Sequence, residues 1–228
     1  MTCLVCQQPL IEAAGYSRCS HCGLVASAYP ANYDLNRYTD KYVKLFGTDM
    51  ELRINANRVA NIMRWLPIGS SVLDYGCSCG NFLARLEAHG YRAFGYEPCK
   101  SSAENKTCES RIVTEVENIK GKFDMVTMFD VFEHFEKPRN VFTAIDSFVG
   151  DGGYVLINTP NPQNVADPAS WYHFWPGEHI YFWTPTALTL FMKEFGYGAV
   201  EEHYQESILR KNDPTPEALV TMVFKKRV

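Results

Sequence analysis

Three features of the 228-residue sequence predict an α/β fold with a mostly parallel sheet and a small metal-held N-terminal lobe. Short apolar strands alternate with helix-period segments from Ser71 onward. A loop of small residues joins the first of these strands to its helix. Two Cys-x2-Cys pairs stand within the first 22 residues, ahead of that alternation.

The stretch from Ser71 to Pro98 reads as one strand–loop–helix–strand unit. Ser71 to Tyr75 is a short apolar strand, and Gly76-Cys77-Ser78-Cys79-Gly80 is a tight loop. Asn81 to His89 carries Phe82, Leu83 and Leu86 at helical spacing, and Gly90 stops it. Tyr91 to Tyr96 is the second strand and delivers Glu97 at its end. Small residues let a ligand approach the backbone, and an acidic side chain about 20 residues further on can accept bonds from both ribose hydroxyls. The unit therefore binds a nucleoside-containing cofactor. Neither GxGxxG nor GxxxxGK[ST] is present, which argues against a dinucleotide and a nucleoside triphosphate.

The remaining elements follow in order. A helix with apolar residues at Leu52, Ala56, Val59, Ile62, Met63 and Leu66 precedes Pro67. Tyr29 to Gly47, rich in tyrosine, links the N-terminal lobe to it. Ser101 to Glu109 is a short helix, and Arg111 to Val116 is the third strand. Phe123 to Phe129 is the fourth strand. Pro138 opens a helix with Val141, Ile145 and Phe148 on one face. Gly152 to Thr159 is the fifth strand. Thr184 and Pro185 form an N-cap and first turn for a helix ending at Phe195-Gly196. Strands over Gly198–Gln205 and Ala218–Lys225 close the fold.

Composition fits an ordinary globular chain, with 46% hydrophobic and 21% charged residues. No run of 18 apolar residues exists, so no membrane span is expected. The first residues have no basic region or long apolar stretch and do not read as a signal peptide, so a cytoplasmic protein is expected. A formal charge of −4 argues against a nucleic-acid polymer as main partner.

Eight cysteines in such a protein point to metal or reduced thiols. Cys3-x2-Cys6 and Cys19-x2-Cys22 are two knuckles separated by 12 residues. Each pair can place two thiolates on one ion, and together they complete a tetrahedral sulfur site suited to structural zinc. About 25 residues cannot form a core alone, and the metal supplies that folding energy. The domain boundaries expected are a zinc knuckle over 1–28 and an α/β domain over 29–228. Cys77, Cys79, Cys99 and Cys108 read as small buried walls near the cofactor.

Asp74-x-Gly76-x-x-x-Gly80 followed by Glu97 resembles motif I and the acidic motif II of class I S-adenosylmethionine (SAM) methyltransferases. Phe123 to Asp130, then Val131-Phe132-Glu133-His134 with Pro138, resembles the family's fourth strand and the segment after it. Gly152 to Thr159 resembles its fifth. The resemblance covers roughly residues 50 to 228. Ser78 departs from it, since the family usually carries a second glycine there. The resemblance implies a Rossmann-like class I methyltransferase sheet, mostly parallel with an antiparallel last strand, beside the small zinc ribbon. It also implies SAM as cofactor. Gly76, Cys77 and Gly80 would line the methionine and ribose, Glu97 would bind the ribose hydroxyls, and Asp74 would organise the loop. Phe129 would offer its carbonyl to the ammonium. Glu115 or Val116 would lie near the adenine, and Tyr38 and Tyr42 would close over the cofactor.

Pro160 to Trp183, roughly two dozen residues without periodicity, is too long for a plain connection. It carries Trp171, Tyr172, Phe174, Trp175, Tyr181, Phe182 and Trp183, with His173, Glu178 and His179. Long loops at the carboxyl ends of strands are where α/β enzymes hold substrates. Trp175 to Pro185 resembles a segment of zinc-ribbon-bearing methyltransferases acting on nucleotide sugars, in which an adjacent Glu-His pair is central. That pair matches Glu178 and His179. Those enzymes carry a further C-terminal domain that has no counterpart in these 228 residues, which leaves oxygen methylation more open than carbon methylation.

SAM is an activated donor, so the protein must align donor and acceptor and exclude water. A hydroxyl acceptor benefits from a general base, and histidine suits near-neutral pH. His179 is the first candidate, with Glu178 orienting it, and His134 is the second. A histidine base predicts activity that rises through the ordinary histidine range. The acceptor expected is a hydroxyl, or a carbon, of a nucleotide sugar or glycan. The alternative is a nucleic-acid methyltransferase that reads its substrate with the knuckle. Against it, the fourth strand is followed by neither [DNS]PP[YFW] nor Pro-Cys, and the first forty residues carry only Arg18 and Arg37 as cations of the Lys/Arg type. A non-catalytic SAM-binding scaffold is the third class.

Overall fold

The computed structural model describes residues 1–32, 34, 44, 47–210 and 217–227. The chain divides into two compact units, one of Met1–Tyr33, Phe129–Thr143 and Ile157–Val228, the other of Asp34–Met128 and Ala144–Leu156.

The N-terminal lobe forms β1 (Leu10–Ala13), β2 (Tyr16–Cys19) and β3 (Val25–Ser27), paired antiparallel. Helix α1 spans Asp49–Trp65 and is capped by Thr48, whose hydroxyl accepts from Glu51 N. The α/β alternation follows as β4 (Ser71–Tyr75), α2 (Asn81–Ala88), β5 (Arg92–Tyr96), α3 (Lys100–Glu104), β6 (Arg111–Val113) and β7 (Phe123–Phe129). Next come α4 (Pro138–Phe148), β8 (Val149–Pro160), β9 (Tyr181–Phe182), α5 (Pro185–Glu194), β10 (Tyr197–His203), α6 (Gln205–Arg210) and β11 (Leu219–Lys226).

The main sheet has seven strands in the order β10-β11-β8-β7-β4-β5-β6. β4 lies parallel to β5 and β7, and β5 parallel to β6, while β10 and β11 are antiparallel. The order reverses beside β4, so the loop after β4 sits at the switch point where open α/β sheets bind ligands. Val72, Leu73, Met125 and Val126 are fully buried, as strands covered on both faces require.

Helix α1 and its C-cap bury Val59, Ile62 and Leu66 of the apolar set the spacing predicts, but the N-terminal half of the helix also turns polar residues inward. Leu52, Ala56 and Met63 are exposed, whereas Glu51, Asn55, Asn61, Val59 and Ile62 are buried. The Glu51 carboxylate accepts from Gly47 N at 2.9 Å, Asn55 Nδ2 at 2.6 Å and Arg85 Nη2 at 3.1 Å. A buried charge paired and bonded in this way satisfies itself, and so the helix start can turn a polar face inward.

Two features escape the sequence reading. β9, drawn from the aromatic segment after β8, pairs antiparallel with β3, so the ribbon sheet runs β1-β2-β3-β9. Helix α6 is the other. The turn after β7 is fixed by aromatic packing around the fully buried Phe132. Its ring lies 4.8 Å from Trp183, 5.5 Å from Phe191 and 6.3 Å from Phe142. The contacts with Phe191 and Phe142 are edge-to-face, and such pairs stabilise by about 0.5–1.5 kcal/mol each beyond area burial.

Candidate active site

The loop after β4 packs three left-handed residues into five positions: Gly76 (φ 90°), Ser78 (φ 50°) and Gly80 (φ 84°). A Cβ at Gly80 would lie 2.5 Å from Cys108 Sγ, so that position is closed to larger residues. Gly76 N and Cys77 N both donate to Tyr96 O, at 2.8 and 3.0 Å, which anchors the loop on β5. Glu97 closes it: one carboxylate oxygen accepts from Ser78 N and the other from Cys99 N, each at 2.8 Å. Each oxygen offers two acceptor sites, so both retain one for a ribose hydroxyl. Ser78 stands where a glycine is usual because Glu97 holds its N–H in the left-handed conformation. Burial raises the Glu97 pKa, opposed by the two backbone N–H groups.

Asp74 lies buried at the end of β4 and accepts from Thr127 Oγ1 at 2.7 Å. Burial pushes its pKa up to about 6, against that hydroxyl and the charge of Arg58. The Cys77 thiol is also buried and its pKa is pushed well up, so it lines the loop as an unreactive wall. Phe129 ends β7. Tyr38 and Tyr42 lie outside the described residues.

A second constellation forms in the other unit. After β7 the chain passes through Asp130 in the left-handed region (φ 56°) and into a short turn over Phe132–His134. The Asp130 carboxylate pairs with Arg210 of α6, which also pairs with Glu206. Glu133 is fully buried; one oxygen accepts from Thr159 Oγ1 at 2.8 Å and the other has no hydrogen-bond partner among the described residues. Burial, reinforced by Asp130, pushes its pKa up to about 8, which favours its protonated form near neutral pH.

His134 Nδ1 lies 2.8 Å from Glu178 O, and His179 Nδ1 lies 2.7 Å from His173 O. A carbonyl oxygen only accepts, so the network assigns the proton to Nδ1 of His179 and leaves its Nε2 a lone pair, while the His134 ring also bonds the Asp130 backbone. The rings are 4.8 Å apart, and Trp175 stacks on His179 at 5.0 Å. Burial lowers the pKa of His134 to about 4 and that of His179, which also feels His134, to about 3. Donor atoms of Glu133, His134 and His179 lie within 4.8 Å of one another, a set that could hold a cation. The structure thus brings His179 and His134 together with Glu133, and Glu178 enters through its backbone carbonyl. The carbonyls of His173 and Glu178 leave no mark in a sequence. Adjacency to His134 is the one signal that points to Glu133.

The pKa of Glu133 has a stability consequence. A carboxyl raised from 4.5 to about 8 binds a proton in the fold that the unfolded chain has already lost. Its contribution is complete below about pH 4.5 and disappears as pH rises through 8. Glu133→Gln is therefore expected to narrow the fall in melting temperature between pH 6.5 and 8 relative to the parent. Parallel curves would place the proton elsewhere.

The four sulfurs of Cys3, Cys6, Cys19 and Cys22 also lie within 4.8 Å of one another. Cys3 Sγ is 3.5 Å from Cys22 Sγ, and Cys6 Sγ is 3.4 Å from Cys19 Sγ. Zinc–sulfur bonds of about 2.3 Å set tetrahedral edges of roughly 3.8 Å, so four unlinked thiols at these separations fit a zinc ion.

A mostly parallel seven-stranded sheet with an antiparallel end, a left-handed loop after its central strand and an acidic residue closing that loop define the architecture of the SAM-dependent methyltransferases. Residues 46–202 match the family model described as a methyltransferase domain, and the chain belongs to that family. It is 28% identical over 58% of its length to a ubiquinone biosynthesis O-methyltransferase of Chromobacterium violaceum. It is 29% identical over 40% of its length to a mitochondrial ubiquinone biosynthesis O-methyltransferase of Candida albicans. The chain spans 65% of the first relative and 27% of the second. Among solved structures, magnesium protoporphyrin IX methyltransferase of Synechocystis with bound SAH superposes with a TM-score of 0.62. It shares 12% identity and covers 84% of this chain and 97% of its own. The fold is shared with that enzyme.

Proposed function

We propose that the chain transfers the methyl group of SAM to a hydroxyl oxygen of a small molecule, with a neutral histidine taking the proton. The observation that carries this reading is the Nε2 lone pair of His179, whose Nδ1 is fixed on His173 O beside the His134 ring. SAM supplies the activated methyl carbon when bound. Glu97 holds its ribose, Gly76 and Gly80 admit its backbone-facing parts, and Phe129 offers a carbonyl to its ammonium. His179 accepts the hydroxyl proton at Nε2, while the Nδ1 bond to His173 O fixes the ring and spreads the charge it gains.

A desolvated imidazole is a weak base, which favours an acceptor hydroxyl that is itself acidic. An aromatic hydroxyl meets that need, and transfer to oxygen is the activity in the names of the relatives. The second reading is a hydroxyl of a nucleotide sugar or glycan, favoured by the Trp175–Pro185 segment. The knuckle over 1–28 is proposed to hold one structural zinc on Cys3, Cys6, Cys19 and Cys22. Elemental analysis is expected to find one zinc per chain, and a folded, metal-free protein would reject it.

Labelled SAM offered with catechols and other phenols, nucleotide sugars, glycans and nucleic acids tests the acceptor. Label in the phenols supports the first reading, and label in sugars the second. Label confined to nucleic acid would overturn both.

A further inference from the structure

We infer that the four-cysteine lobe is a positioning element for the segment that carries His173, Glu178 and His179, and not an independent module. The inference rests on the proposed role of those histidines. It is carried by contacts between the lobe and that segment, all within one compact unit.

Strand β3 pairs with β9 through Val25–Phe182 and Ala26–Tyr181, and Ser27 N donates to Ile180 O at 2.9 Å. The Thr184 hydroxyl donates to the carbonyl of the ligand residue Cys22 at 2.5 Å while capping α5 through Ala187 N. At the other end of the segment, Arg18 Nη2 donates to Pro162 O at 3.3 Å and Val165 O at 2.7 Å. Asn32 N donates to Gly177 O at 2.8 Å, one residue before Glu178. The segment is thus tied to the lobe at its start, beside the Glu-His pair and at its exit.

These ties use backbone and side-chain atoms on either side of the four sulfurs. Arg18 adjoins Cys19, and β3 begins three residues after Cys22. A close approach shows how tight the junction is: a Cβ on Gly23 would lie 2.8 Å from Thr184 Cγ2. A lobe of this size has little core of its own, so its order depends on the metal. Losing the metal therefore releases β3, and with it β9 and the carbonyls that fix the two imidazoles. Asp74, Gly76, Gly80 and Glu97 belong to the other unit, where Thr127, Tyr96, the Cys77 carbonyl and the Ser78 and Cys99 amides hold them.

The test strips the intact protein of zinc with a chelator and follows three signals that need no acceptor. Binding of S-adenosylhomocysteine, by calorimetry, should stay within about threefold of the metal-loaded value. Amide exchange over 171–184 should accelerate at least tenfold. The His179 ring should move from an acid-shifted titration toward the free-histidine range near pH 6.5. Should the stripped protein precipitate, Thr184→Val replaces it: this variant loses the hydroxyl bridge to Cys22 O together with the cap of α5, Thr184→Ser restores both, and Arg18→Met removes only the lobe's bonds to Pro162 O and Val165 O. Faster exchange over the segment in both Thr184→Val and Arg18→Met, but not in Thr184→Ser, supports the inference. Unchanged exchange and an unchanged His179 titration in the metal-free protein would overturn it. So would cofactor affinity lost in step with the segment's order. A wrong acceptor assignment leaves all three signals intact, so the two failures are distinguishable.

Discussion

His179→Ala is expected to leave SAM affinity unchanged and to lower turnover by roughly 10²- to 10⁴-fold, the usual worth of a positioned proton acceptor. The ring's Nδ1 is committed to His173 O, so Nε2 is the atom at stake. His134→Ala separates the two candidates, because a base at 134 reverses the order of the defects. The pH dependence is equally specific. Burial lowers the pKa of His179 to about 3 and of His134 to about 4, so both rings stay uncharged throughout the neutral range. The activity rise that an ordinary histidine would give near pH 6.5 is displaced to acid, and turnover between pH 5 and 7 should vary little from this cause. A steep rise centred near 6.5 that vanishes in His179→Ala would mean that the site opens to water when substrate binds. Near-normal turnover by His179→Ala would remove the residue from the chemistry and leave proximity to carry the transfer.

Glu97→Ala is expected to weaken SAM binding by roughly tenfold to a hundredfold, or about 1.5–3 kcal/mol, with calorimetry as the measurement. The upper end is favoured because the carboxylate does more than meet a ribose. It accepts from Ser78 N and Cys99 N, and its removal strands two backbone donors in the loop itself. A dissociation constant equal to that of the parent would reject the assignment of Glu97 to the ribose.

The β4–α2–β5 unit is legible in the sequence because its signals are local: apolar runs of strand length, a loop of small residues and a helical spacing that ends at Gly90. Thr184-Pro185 likewise announces α5 through a cap whose physics needs only neighbouring residues. What is not legible depends on partners far away along the chain. Leu52 and Met63 look inward-facing until Arg85 is seen to meet Glu51 and draw the polar side of α1 inside. β9 is two residues long, and nothing near Tyr181 announces its pairing with Val25 and Ala26. The pair His134 and His179 is recognisable by residue type, but their tautomers depend on carbonyls that fold onto them from His173 and Glu178.

The bond from Thr184 to Cys22 joins residues 162 positions apart. During synthesis the ribbon can gather its four sulfurs as soon as Cys22 is made, yet its sheet is complete only after β9 has been added. Until then β3 presents an unpaired edge, and open edges recruit strands from other chains. Fragments that end between the ribbon and Phe182 should therefore self-associate through β3 even when fully loaded with metal, whereas the whole chain satisfies that edge from within.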